Sequence, residues 1–105
     1  MIDGDTVELA DGRRLRLCCV DTPETWRPEC PAEAAAGAAA TAAVEAWIAG
    51  AATVTVRIDR CCDRYGRLIG DVVIDRVPLS DRLTAAGLGL PYAGGTRPDW
   101  CAILP

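Results

Sequence analysis

Residues 14–24 read Arg-Leu-Arg-Leu-Cys-Cys-Val-Asp-Thr-Pro-Glu, and the fold turns on this stretch. Leu15, Leu17 and Cys19 alternate with Arg14, Arg16 and Cys18, the period of a β-strand with one wet face. Arg16 is therefore expected to face away from the leucines. Pro23 has no N–H to give a sheet ladder and restricts Thr22 to extended geometry, so the strand ends in a bend with Asp21 on one side and Glu24 on the other. Upstream, residues 6–9 form a second β-prone run. The Ala10-Asp11-Gly12 link supplies the positive φ of a tight turn, so the two runs predict a hairpin.

Downstream, thirteen of the twenty-one residues from Ala32 to Ala52 are alanine, which predicts a helix over about 32–49 with Gly50 as its C-terminal stop. Val44, Trp47 and Ile48 stand at i, i+3 and i+4 and form its one apolar stripe, expected to face the core. Thr53–Arg60 and Leu68–Ile74 alternate like strands and pair across a turn at Asp63–Gly66. Leu79–Ala86 predicts a short amphipathic helix, with Ser80 as N-cap and Gly87 just past its end. From Tyr92 onward the chain is expected to be irregular.

A chain of 105 residues, half of them hydrophobic, suffices for a single domain over 1–105. No run of 18 apolar residues is present, so no membrane partner is expected. No signal peptide opens the sequence, which predicts a cytoplasmic location as the chain stands, or a secreted or periplasmic one if the true N-terminus lies upstream. Fifteen acidic against eleven basic residues, every one of the latter arginine, give a net charge of −4. That excludes a general polyanion binder, because binding by counterion release needs a basic excess. The six cysteines contain no C-x-x-C pair, so a structural zinc is not expected. Cys18, Cys19, Cys61 and Cys62 read as small buried hydrophobes in a reducing compartment. Cys30 and Cys101, in Pro-containing irregular segments, could be bridged in an oxidising one.

Three distant segments carry polar residues that local structure does not require: Asp3-Gly4-Asp5-Thr6, Arg16 with Asp21-Thr22-Pro23-Glu24, and Asp63-Arg64-Tyr65-Gly66-Arg67. With the Leu83-to-Leu88 helix end that follows, their order and spacing resemble the staphylococcal nuclease (thermonuclease) family from residue 2 to about 92. The resemblance implies an α+β, mainly β fold: a five-stranded OB-type barrel with an Ala-rich helix and a short second helix. It further implies a monomeric Ca²⁺-dependent endonuclease that hydrolyses DNA and RNA to 3′-phosphorylated products. By position, Asp5, Asp21 and the carbonyl of Thr22 match metal ligands. Glu24 matches the residue that activates water, and Arg16 and Arg67 match the pair that grips the phosphate. Arg64, Tyr65 and Tyr92 match substrate-touching positions. Asp3, Asp63 and Gly66 read as turn residues.

Three carboxylates against two guanidiniums would leave the pocket at −1, so the cation is expected to be needed before a phosphodiester can bind. Two departures from the family predict an incompletely closed barrel. Almost nothing precedes Asp3 where relatives have the rest of a strand, and no final helix follows Gly94, so a tail with Trp100 and Cys101 would have to pack in its place. The alternatives are a noncatalytic nucleic-acid-binding barrel, which usually lacks the acids or arginines kept here, or a fragment that folds only within a larger assembly.

Overall fold

The computed structural model describes residues 3–105; Met1 and Ile2, where the resemblance begins, lie outside the described residues. Seven short strands and three helices follow one another in the order β1 (Thr6–Glu8), β2 (Arg14–Leu17), β3 (Val20–Asp21), α1 (Pro31–Gly50), β4 (Val54–Arg60), β5 (Leu68–Ile74), β6 (Val77–Pro78), α2 (Leu79–Ala85), β7 (Leu90–Pro91) and α3 (Trp100–Ile103). The fold is mixed α+β. The main sheet runs β1-β2-β5-β4 with β6 paired to β5, and β3 pairs separately with β7.

Both predicted hairpins form. β1 and β2 are antiparallel, Thr6 opposite Arg16, across a turn where Gly12 takes a φ of 90°. β4 and β5 are antiparallel with a bulge between Ile58 and Arg60. β2 lies parallel to β5, Arg16 opposite Ile69, so the intervening α1 and β4 make the crossover that a parallel pair requires. β5 is the central strand, and it reads as an almost unbroken apolar run because it is covered on both faces.

The predicted strand 14–20 is two strands. β2 stops at Leu17 and β3 starts at Val20, with Cys18 and Cys19 between them joined in a disulfide. On the face opposite the leucines Arg14 is exposed, as the alternation predicts, but Arg16 is buried. The leucines enter the core, and Arg16 points to the opposite side, where it is covered by carboxylates.

The helix α1 extends through Gly50, which is its last helical residue, and Ala51 is the C-cap. Val44 is fully buried, and Trp47 and Ile48 pack against the core, as their spacing predicts. Gly37 brings the helix close to the bend, its backbone lying over the carbonyls of Pro23 and Glu24. In α2, Ser80 is inside the helix rather than its N-cap, which is Pro78. Buried Asp71 on β5 accepts from the Ser80 N–H at 3.2 Å and fills the capping role across the sheet. Gly87 takes a φ of 73°, as a glycine closing a helix does.

The tail is not wholly irregular. α3 adds one turn, with Asp99 accepting from Ala102 N–H. Trp100 is buried, and Cys101 is bridged to Cys30 at the start of α1. The tail is thus packed on the rest of the fold by Trp100 and tied to it by the Cys30–Cys101 bridge. The barrel is open: β1 and β4 are the two ends of the sheet path. A groove lined by Val7, Leu9, Ile48, Val54, Val56 and Val72 lies between them. All of β4 is exposed, including Val54, Val56 and Ile58.

The close approach at Gly37 makes a test. Helix propensity alone favours alanine over glycine by about 1 kcal/mol. A Cβ at Gly37 would stand 2.8 Å from the carbonyl oxygens of both Pro23 and Glu24, and overpacking of this kind costs about 1–3 kcal/mol. Urea unfolding should show Gly37→Ala destabilised, whereas Gly50→Ala, with nothing within 4 Å, should be neutral or stabilised. A stabilised Gly37→Ala would remove the close approach from the account.

Candidate functional site

Asp21 ends β3 beside the start of the Thr22-Pro23-Glu24 bend, and its side chain is 0% exposed. A buried carboxylate needs its acceptor sites filled. Its Oδ1 accepts from Arg16 Nη2 at 3.2 Å and Arg97 Nε at 2.9 Å. Its Oδ2 accepts from Arg97 Nη2 at 3.3 Å and Trp100 Nε1 at 2.8 Å. Four donors from two distant parts of the chain therefore meet on one side chain.

Arg16 is held with similar completeness. Its Nη1 donates to the carbonyls of Leu17 and Val20 at 2.9 and 2.8 Å, and the same nitrogen lies 3.6 Å from Asp5 Oδ2. Among the described residues its Nε–H and second Nη2–H have no acceptor, so the fork keeps donors for a ligand. The guanidinium also stands 5.4 Å over the ring of Tyr92, which is fixed by Tyr92 Oη donating to Gly95 O at 2.7 Å.

Asp5 links this cluster to the next. Its Oδ2 accepts the N–H of Thr22 at 3.1 Å, and its Oδ1 accepts the hydroxyl of Thr6 at 3.2 Å. The Thr6 hydroxyl in turn accepts from Arg67 Nη1 at 3.4 Å. Burial pushes the Asp5 carboxyl above the usual range, against the Arg16 guanidinium and the Thr22 N–H, with Asp21 and Asp3 adding to the rise.

Arg67 leaves the turn expected at 63–66, and Asp63 is the turn residue the sequence indicates. Its Oδ1 accepts the N–H groups of Tyr65 and Arg67, both at 2.9 Å, and its Oδ2 accepts Arg67 Nε at 2.7 Å. This aims the rest of the Arg67 fork toward Thr6. Tyr65 is exposed, with the guanidiniums of Arg64 and Arg67 at 4.9 and 5.3 Å from its ring centre.

Glu24 is positioned from both ends. Its N–H donates to Glu33 Oε2 at 3.2 Å, and Glu33 also accepts from Glu29 N–H at 2.8 Å, so a buried carboxylate in the first turn of α1 orders the segment between. The side chain of Glu24 pairs with Arg97 Nη1 at 2.8 Å. Burial raises the Glu24 pKa, nearby Asp3 raises it further, and Arg97 opposes both. Asp3 is more than a turn residue, because it accepts the N–H and the hydroxyl of Thr25 and so holds the chain just after Glu24.

All nine residues singled out from the sequence lie on this connected region: Asp5, Arg16, Asp21, Thr22, Glu24 and Tyr92 in one cluster, Arg64, Tyr65 and Arg67 in the other, with Thr6 between. Arg97 is the residue that sequence reading missed. It binds Asp21 through two nitrogens, pairs with Glu24, and donates to Thr22 O at 3.3 Å. Its Gly- and Pro-containing surroundings read as unstructured tail, and only the neighbouring Trp100 and Cys101 hinted at packing. Arg97 adds a third guanidinium and Asp3, which acts on both Asp5 and Glu24, adds a fourth carboxylate, so the balance of −1 expected from the sequence is unchanged.

Asp5, Asp21 and the Thr22 carbonyl are hard oxygen donors of the type that suits calcium. In this arrangement those oxygens are engaged by protein N–H and O–H groups, and the positive charge at Asp21, Thr22 and Glu24 is that of Arg97. Among the described residues no group of three or more His, Cys, Asp or Glu side chains is placed to hold a metal ion. The donors fit the ion in kind; their present partner is a guanidinium.

The cysteines also differ from expectation. Cys18 is half-buried and Cys19, Cys61 and Cys62 are exposed. The adjacent pairs are bridged as Cys18–Cys19 and Cys61–Cys62. Both pairs lie where a strand has just ended, so the alternation that would send neighbours to opposite faces does not apply.

No curated protein matches the chain. The family described as staphylococcal nuclease homologue matches residues 14–98, from the start of β2 through Arg97. That span carries Arg16, Asp21, Thr22, Glu24, Arg64, Tyr65, Arg67 and Tyr92 in the order and surroundings given above. The chain belongs to the staphylococcal nuclease homologue family.

Proposed function

We infer that the chain is a Ca²⁺-dependent endonuclease that hydrolyses phosphodiester bonds of DNA and RNA, within the nuclease-like or nucleic-acid-binding range that its family sets. The observation that carries this reading is the polar network itself. It joins two arginine forks with unused donors, Arg16 and Arg67, to a half-buried carboxylate, Glu24, whose pKa is raised. A passive binder has no use for a carboxylate desolvated beside its phosphate site.

In this reading Arg16 and Arg67 donate to the non-bridging oxygens of the scissile phosphate and offset the charge that grows there as the water oxygen bonds to phosphorus. Glu24 accepts the proton of that water, and its raised pKa makes it a better base than an ordinary glutamate. The ester bond to the leaving oxygen breaks, that oxygen takes a proton from solvent and departs as a hydroxyl, and Glu24 returns its proton to solvent. Calcium, held by Asp5, Asp21 and the Thr22 carbonyl, would supply positive charge to the phosphate. Tyr65 with Arg64, and Tyr92 beside Arg16, offer a ring and a cation to the neighbouring base and phosphate. The disulfides favour the secreted or periplasmic location over the cytoplasm, since such bridges persist where thiols are oxidised.

Degradation of plasmid and RNA in Ca²⁺ and in EDTA tests the reading. Cleavage should stop in EDTA. Glu24→Ala should lose about 10²–10⁴-fold in rate and Arg67→Ala about 10²–10³-fold. Because the metal-free site carries a balance of −1, a nucleotide bisphosphate should not bind tightly in EDTA. Full activity in either variant would overturn the roles, and an inactive wild type that still binds oligonucleotide would favour the noncatalytic alternative.

The raised pKa of Glu24 has a definite sign in stability. Its folded value lies above its unfolded one, so its contribution is complete below the unfolded value near 4.5 and is lost as pH rises through the folded value. In EDTA, the melting temperature of Glu24→Gln should therefore fall less than that of wild type between the acidic range and neutrality. Parallel curves for the two chains would contradict the shift.

A further inference from the structure

Two of the three donors expected to hold a metal, Asp21 and the Thr22 carbonyl, are held by Arg97. We propose that Arg97 is the protein's own cation for the Asp21, Thr22 and Glu24 cradle, and that a divalent ion loads there only by displacing it. This rests on the calcium reading above and adds what controls the loading.

The first argument is a count of acceptor sites. An ionised carboxylate offers about four lone-pair positions, and Asp21 spends all of them, two on Arg97, one on Arg16 and one on Trp100. A metal oxygen bond at Asp21 requires one of these donors to leave. The second argument is charge. Arg97 reaches Asp21, the Thr22 carbonyl and Glu24 at 2.8–3.3 Å, so a cation bound to the same oxygens would sit against the guanidinium and be repelled by it.

The third argument identifies which donor moves. The Arg16 side chain is 10% exposed and carries two carbonyls besides its carboxylates. Trp100 is buried in the packing of the tail. The Arg97 side chain is 41% exposed and follows Gly94 and Gly95, both at positive φ, where the backbone is free of side-chain restriction. Arg97 can swing out while Cys101, bridged to Cys30, keeps the tail attached. An anionic phosphate beside the cradle gives the departing guanidinium an alternative partner, so nucleotide should promote metal loading.

The test is ion binding without nucleic acid, on the full chain. Tb³⁺ luminescence, sensitised through Trp100 and competed by Ca²⁺, gives the affinity; the Arg97 Nε–H resonance in the ¹⁵N spectrum reports the bond to Asp21. Arg97→Gln should bind both ions at least about tenfold more tightly than wild type, and saturating Ca²⁺ should move the Nε–H signal of wild type to that of a solvated guanidinium. The resonance separates displacement from a mere change in long-range charge, and it is read on wild type even if Arg97→Gln fails to fold. Ca²⁺ bound with the Nε–H signal unmoved, or equal affinity in the two folded chains, overturns the displacement and leaves the calcium reading standing. Absence of ion binding in every chain overturns the calcium reading and the displacement with it.

Discussion

A carboxylate removed from water must have its oxygens filled, and Asp21 meets that demand with groups from opposite ends of the chain. Arg16 comes from the first hairpin, Arg97 and Trp100 from the tail. Satisfying one buried charge therefore fixes the approach of β2 to β3 and the course of residues 97–100 together. Removing any single donor would leave part of that charge unmatched, which is costlier than the bond alone is worth. The tail is thus tied to the rest of the fold by electrostatics at Asp21 and covalently at Cys101.

The Ala-rich helix serves the same centre from the other side. Its missing side chain at Gly37 lets the backbone settle on the carbonyls of Pro23 and Glu24, and Glu33, one turn earlier, receives the Glu24 N–H. A bend that begins as a consequence of Pro23 ends as a rigid mount for Glu24. The helix has little amphipathic character of its own, and only Val44 is a large residue wholly buried on it. Its placement follows from close backbone contact and one buried carboxylate as much as from apolar burial.

Where the sequence carries a local rule, the structure obeys it. The Asp11-Gly12 and Asp63–Gly66 turns, the alanine helix and the pairing of both hairpins rest on φ preferences and periodicity, which short segments contain in full. Arg16 shows where the rule fails: alternation distinguishes two faces, and it cannot tell a face covered by water from one covered by carboxylates arriving from elsewhere. Ser80 shows the same, its capping role taken by Asp71 from across the sheet. Arg97 was illegible for a further reason. Nothing within Gly-Gly-Thr-Arg-Pro specifies a partner, and its place is set by Trp100 packing and by the Cys30–Cys101 bridge, both long-range facts.

An acidic chain that handles a polyanion must arrange its charge by place, and the structure shows how far it does. The turn of the first hairpin meets the turn before β5, so that Arg13, Arg14 and Arg67 line one cleft with Tyr65. Of these, Arg13 is neutralised by Asp11 at 2.6 Å and Arg67 is partly so by Asp63 at 2.7 Å. The acids on this edge therefore aim the arginines as much as they cancel them. Exposed ion pairs of this kind contribute little to stability, and their use here is orientation. The net charge of −4 weakens binding over the surface at large, while this cleft is a place where a phosphodiester is met by guanidinium forks.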